Sequence, residues 1–158
     1  MPEKERMQLA AIILAGGASS RMGRPKESLP WGDESLLGRT CRTLSACCAP
    51  VVVVARDRTQ GLPPLPEGTL VACDAPGAAG PLAGLLAGLQ ALLAAGLHGD
   101  DATFVTACDH PFLFADAVRA LHRELGNARL VMPEVATVLQ PLCAIYRLGC
   151  VGAVERLL

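Results

Sequence analysis

The 158-residue sequence is poor in aromatic residues. One Trp, one Tyr and three Phe leave few platforms on which the bases of a single-stranded nucleic acid could stack. It also lacks an excess of either charge: 14 Lys and Arg against 15 Asp and Glu give a net charge of -1, so neither nucleic acid nor an anionic membrane surface is indicated as a partner. No apolar run suits a bilayer. Pro81 to Leu97 comes nearest, but it falls short of the roughly 20 residues a span requires and is interrupted by Gly84, Gly88, Gln90 and Gly96. The stretch Leu9 to Ala15 is preceded by Glu3 and Glu5, which spoil the positive region of a signal peptide.

The cysteines lack the spacings that imply chemistry. Cys41, Cys47, Cys48, Cys73, Cys108, Cys143 and Cys150 are odd in number and contain no C-x-x-C, and His98, His110 and His122 are scattered. Small buried apolar residues in a reducing cytoplasm account for them without disulfides or zinc. The two commonest phosphate loops are missing as well. No Gly-Lys-Ser/Thr opens a helix, and Gly16, Gly17 and Gly23 do not fit G-x-G-x-x-G.

What is present is a chain 51% hydrophobic, with Ala, Leu and Val gathered in short blocks that suit strands covered on both faces. Strands are predicted at 9–15, 51–55, 69–73, 103–107, 129–132 and 138–146. Helices are predicted from Ser35 to Cys48, with Asp33 and Glu34 beside the positive helix end, at 82–96, from Ala115 to Leu125, and from Val151 onward. The glycines of the second helix would let its backbone approach the strands closely. Such alternation implies one α/β domain with a mainly parallel sheet, whose ligands bind beyond the carboxyl ends of the strands.

That rule selects three places. The first strand empties into Leu14-Ala-Gly-Gly-Ala-Ser-Ser-Arg-Met-Gly-Arg-Pro-Lys26, a loop too glycine-rich to fill with side chains. The backbone N–H groups of Ala15 to Ala18 are expected to point at an anion, with Arg21, Arg24 and Lys26 supplying charge, as a nucleoside triphosphate needs. The third strand ends at Asp74, before the small-residue loop Ala75 to Gly80; this carboxylate either faces the nucleotide or the metal, or is an ordinary turn residue. The fourth ends in Thr106-Ala-Cys-Asp109-His-Pro111, where Asp109 is placed to hold Mg²⁺, which prefers one or two carboxylates plus phosphate oxygens. His110 is incidental or supporting, because a phosphate nucleophile has no proton to lose.

Taken together, Leu14-Ala-Gly-Gly-x-Ser-Ser-Arg-Met-Gly-x-x-Lys26, Gly80-Pro-Leu-Ala-Gly84, Thr106-x-Cys-Asp109-x-Pro and Gln140-Pro-Leu-x-Ala-x-Tyr146 resemble the molybdenum cofactor guanylyltransferases over essentially the whole chain. The resemblance implies a three-layer α-β-α, Rossmann-like fold of the nucleotide-diphospho-sugar transferase type. It implies a cytoplasmic enzyme that moves GMP from GTP to the phosphate of molybdopterin, with Mg²⁺ as cofactor and molybdoenzyme maturation proteins as further partners. Leu14, Ala15 and Gly16 would then line the guanine and ribose side, Gly17 would join them in binding the nucleotide, Arg21 and Lys26 would take phosphate, Asp74 would contact the nucleotide, and Asp109 would hold the metal and touch the nucleotide. Cytidylyltransferase relatives tend to carry Leu-Ala-Ala-Gly in the first loop, so the presence of a second glycine here favours guanine. Two departures stand out: Val54-Ala-Arg56-Asp57 replaces an expected Asn, and the chain stops before a family segment of the Asn-x-Asn-Thr-Pro type.

Overall fold

A computed structural model describes residues 8–17, 23–77 and 80–158. The elements run β1 (Leu9–Leu14), β2 (Pro30–Trp31), β3 (Glu34–Ser35), α1 (Leu36–Ser45), β4 (Val51–Ala55), β5 (Leu70–Cys73), α2 (Pro81–Ala94), β6 (Ala102–Ala107), α3 (Ala115–Leu125), β7 (Leu130–Val131), β8 (Glu134–Val135), β9 (Val138–Leu139), β10 (Cys143–Arg147) and α4 (Val151–Glu155). A six-stranded sheet has the order β5-β4-β1-β6-β10-β7. Its first four strands are parallel and β10 runs antiparallel to both its neighbours, so the sheet is mainly parallel, as expected.

The pleat sorts consecutive residues to opposite layers. Ile13, Val53, Phe104 and Ile145 join Leu37, Cys41 and Leu44 of α1 and Val118 and Leu125 of α3 on one face. Ile12, Val52, Val105 and Ala144 meet Leu85, Leu89 and Leu92 of α2 and Val154 of α4 on the other. Both faces are therefore covered, which is why β4 reads as an unbroken run of valines. Helix α2 lies close to β1, and a Cβ on Gly88 would sit 2.7 Å from Ile12 Cγ2. A larger residue at 88 has no room.

Three elements differ from the sequence reading. Helix α1 begins after Ser35, whose hydroxyl caps it by accepting from the Gly38 N–H at 3.0 Å. Asp33 and Glu34 instead belong to the β2–β3 hairpin, and Glu34 pairs with Arg42. Helix α2 ends at Ala94, because Gly96 turns the chain at φ +96. The single strand expected over 138–146 is broken: β9 folds back on β8 through Ala136 and Thr137, both at positive φ, and only after Pro141 does β10 enter the main sheet. Cys41, Cys48 and Cys108 are buried, while the other four cysteines are half-buried; all seven are free thiols. Among the described residues no helix is long and apolar enough to cross a membrane.

Candidate active site

The carboxyl ends of β1, β4, β5 and β6 converge on one edge of the sheet. At the first of them, the expectation that the Ala15 N–H is open to an anion is not met: it donates to the Val54 carbonyl at 2.9 Å, extending the β1–β4 ladder by one residue. The free donors start one step later. Among the described residues, the N–H groups of Gly16 and Gly17 meet no acceptor. Gly16 is required for packing, since a Cβ there would lie 2.9 Å from the Arg56 nitrogen. Gly17 faces open space. Leu14 packs toward α2, and its Cδ2 would touch a Cβ on Gly84 at 3.0 Å. Ala18, the last of the expected backbone donors, and Arg21 lie outside the described residues.

Pro25, at φ -59, ends the loop, and Lys26 opens a short 3-10 turn. Its amine stands 3.2 Å from Asp109 Oδ2, joining positions 83 apart in sequence, with both side chains about half exposed. Asp109 Oδ1 takes no hydrogen bond among the described residues. The loop bearing Asp109 is held from outside the site. Arg39 Nε donates to the Pro111 carbonyl at 3.2 Å while its guanidinium lies 5.5 Å from the centre of the Trp31 ring, and Trp31 meets Phe112 edge-on at 5.6 Å. His110 Nδ1 lies 2.7 Å from Thr106 Oγ1, which fixes its ring against β6.

Asp74 sits across the edge. Its N–H continues the ladder to Ala55 O at 3.1 Å, but its Oδ1 is buried without a partner, close to the backbone of Gly84. Burial pushes its carboxyl above the usual carboxylate range. A Cβ on Gly84 would lie 3.5 Å from Asp74 Oδ1 and 3.0 Å from Leu14 Cδ2, so the Asp74 carboxyl reaches back over the sheet edge toward the end of β1.

Beside Asp74 opens a cleft of about 1200 Å³ lined by Arg56, Asp57, Cys73, Pro76, Ala83 and Gln90 among others. A smaller cleft of about 370 Å³ lies on the other side of Arg56, against Gly17, Arg24, Glu27 and Gln60. The sequence reading passed over the residues that join these walls. Glu27 is buried, at 4% exposure, and its Oε1 accepts from Gln60 Nε2 at 2.6 Å. A charge beside Lys26 in a turn followed by Leu29 was the available signal for Glu27. Gln60, between Thr59 and Gly61, carried none.

The glycine loop, the Lys26–Asp109 pair and Asp74 thus lie along one edge of a mainly parallel sheet. The family model described as MobA-like NTP transferase domain covers residues 11–158. The chain belongs to the MobA-like NTP transferase family. It is 32% identical over 149 residues to a probable molybdenum cofactor guanylyltransferase of Pelotomaculum thermopropionicum, covering 94% of this chain and 68% of that protein. To one from Opitutus terrae it is 35% identical over 148 residues, covering 94% and 71%. A crystal structure of molybdopterin-guanine dinucleotide biosynthesis protein A from Archaeoglobus fulgidus superposes with a TM-score of 0.72 at 21% identity, over 93% of this chain and 71% of that one, and so shares the fold. Family membership makes the chain a nucleotidyltransferase, and the edge described above is where such a fold holds its ligand.

Proposed function

We propose that the chain transfers GMP from GTP to the terminal phosphate of molybdopterin and releases pyrophosphate. The observation that carries the reading is the Lys26–Asp109 pair, which places a cation and a carboxylate together at the mouth of a loop with open backbone donors. The names of the relatives above support the choice of substrates.

The chemistry is an in-line displacement at the α-phosphorus, in which two anions must meet. Catalysis is then largely positioning and electrostatic stabilisation. Leu14, Ala15, Gly16 and Gly17 would border the nucleoside, with the Gly16 and Gly17 N–H groups donating toward phosphate. Lys26 stabilises charge on the triphosphate, and Arg21 adds to it. Asp74, which lines the larger cleft, offers its carboxylate to a donor on the nucleotide. The donor set at Asp109 fits Mg²⁺, because a strand-end carboxylate with one oxygen open suits a cation that prefers few carboxylates plus phosphate oxygens. When bound, the ion supplies neutralisation of the triphosphate and orients it. The reading places the enzyme in the cytoplasm, with molybdoenzyme maturation proteins receiving its product.

Calorimetry with GTP, CTP and ATP in the presence of Mg²⁺ tests the base, and pyrophosphate release on adding molybdopterin tests the transfer. GTP is expected to bind best. A clear preference for CTP would replace the guanine assignment with a related cytidylyl transfer, and binding without pyrophosphate release would leave a noncatalytic nucleotide-binding domain.

A further inference from the structure

The buried carboxylate of Glu27 has no part in the chemistry above, yet it lies one residue from Lys26 and beneath the glycine loop. Its partner Gln60 makes three hydrogen bonds with one amide. Nε2 donates to Ala15 O at 2.8 Å and to Glu27 Oε1 at 2.6 Å, while Oε1 accepts from the Arg56 N–H at 2.7 Å. The amide orientation follows from these partners, since two oxygens face the nitrogen and one N–H faces the oxygen.

Each partner belongs to a different wall of the site. Ala15 ends the β1 ladder and precedes the open donors of Gly16 and Gly17. Arg56 begins the loop after β4, stands against Gly16, and lines both clefts. Glu27 belongs to the turn that Lys26 opens. The Arg56–Gln60 loop is itself shaped by Asp57, whose Oδ1 accepts from the Thr59 N–H at 2.8 Å and whose carboxyl is held down to about 2 by the Thr59 hydroxyl, Arg56 and the Thr59 N–H. A shift of any one wall would cost Gln60 a bond.

We infer that Gln60 is a positioning residue for nucleotide binding, a brace that sets the glycine loop, the Arg56 wall and the Lys26 turn in register through Ala15, Arg56 and Glu27. Only a neutral amide presents two donors and one acceptor in this arrangement; a carboxylate at 60 would set oxygen against oxygen at both Ala15 and Glu27. The inference rests on the functional reading above, because the register it sets is that of the triphosphate site.

The test is an exchange of the two side chains in the full chain, with Kd for GTP in Mg²⁺ measured by calorimetry and thermal unfolding followed without ligand. Gln60→Glu is expected to weaken GTP binding by about tenfold or more, as a buried polar clash does. Glu27→Gln keeps an oxygen for Gln60 and is expected to change Kd by less than about threefold. The double variant Gln60→Glu with Glu27→Gln restores a donor between the two positions and is expected to bind at least about fivefold tighter than Gln60→Glu alone, a coupling that independent sites do not show. Gln60→Met, uncharged and of similar length, replaces Gln60→Glu if that variant fails to fold, with the same tenfold loss expected. Two results would overturn the inference: Gln60 variants that bind GTP as the unaltered protein does, whatever their melting temperature, or a double variant no better than the single. An unaltered protein that binds no nucleoside triphosphate would instead fail the functional reading itself, and the inference with it.

Discussion

The two ends of the sheet are built to opposite rules. At the amino end of β6, Asp101 takes the Gln8 N–H on one oxygen at 2.9 Å and the His98 N–H on the other at 2.8 Å. Nearby, Arg147 donates to the carbonyls of Ala128, Asp100 and Gly126 at 2.9, 2.6 and 2.6 Å. Backbone groups left over by turns are there met by side chains. At the carboxyl end the Gly16 and Gly17 N–H groups and Asp74 Oδ1 are left open among the described residues, and Lys26 and Asp109 hold each other in a half-exposed pair. At the first end the turn backbone is closed off, although Thr103 Oγ1 and His122 Nε2 stay buried without partners; at the second, backbone donors themselves stay open among the described residues.

Substitutions at the two ends should therefore separate stability from activity. The largest effect is expected from Lys26→Ala. Losing a cation that acts on the triphosphate costs about 3 kcal/mol of transition-state stabilisation, or roughly two decades in turnover. Its melting temperature should hardly move, because a half-exposed ion pair contributes little to folding. Pyrophosphate release and thermal unfolding on the same sample check both halves, and unchanged turnover would remove Lys26 from the mechanism.

Arg147→Ala is the mirror case. Three carbonyls lose a charged donor, for which about 2 kcal/mol of stability is expected, or a drop of roughly 6 °C in Tm for a chain of this size. The Kd for GTP of the protein that remains folded should stay within about twofold. A large loss of affinity at unchanged Tm would break the division between the two ends.

The same division explains what could be read before any coordinates. Alternating apolar blocks located the β1, β4 and β6 strands to within a residue, because strands buried on both faces leave no other pattern. Asp74 and Asp109 stood out as candidates because each follows a short apolar run, buried in β6 and half-exposed at the edge in β5. Gln60 was not, since its role comes from three partners at positions 15, 27 and 56 that only the folded chain brings together. The reach of Ala15 into the ladder and the break at Ala136 and Thr137 were hidden for a related reason. Both depend on which neighbour a backbone group finds, and no side-chain pattern records that.

A smaller effect is expected from Asp109→Asn. The amide keeps the size of the side chain and loses the charge that would draw a divalent ion, so the Mg²⁺ concentration for half-maximal pyrophosphate release should rise about tenfold, equivalent to about 1.4 kcal/mol. The fold should persist, as Arg39 and Trp31 hold the loop from outside. A variant that unfolds would mean that the carboxylate serves the loop rather than the ligand.

Asp74→Asn should give a small change in stability, and its sign is the informative part. In the folded chain the Asp74 carboxyl is raised by burial, so between the ordinary carboxylate value and its raised value the native state holds a proton that the unfolded chain releases. Stability contributed by that proton is present at low pH and lost as the pH climbs through the raised value. Above that raised value, ionised and with a buried, unpartnered oxygen, Asp74 is a local cost to the fold. Removing the charge should make Tm slightly higher than that of the unaltered protein at pH above the raised value and flatten the decline as the pH climbs through it. Nucleotide affinity should fall in the same variant by about fivefold, because the acceptor offered to the ligand is weakened. A rise in Tm with a loss of binding is the signature of a group kept for its ligand; a loss of both would make Asp74 a turn residue like any other.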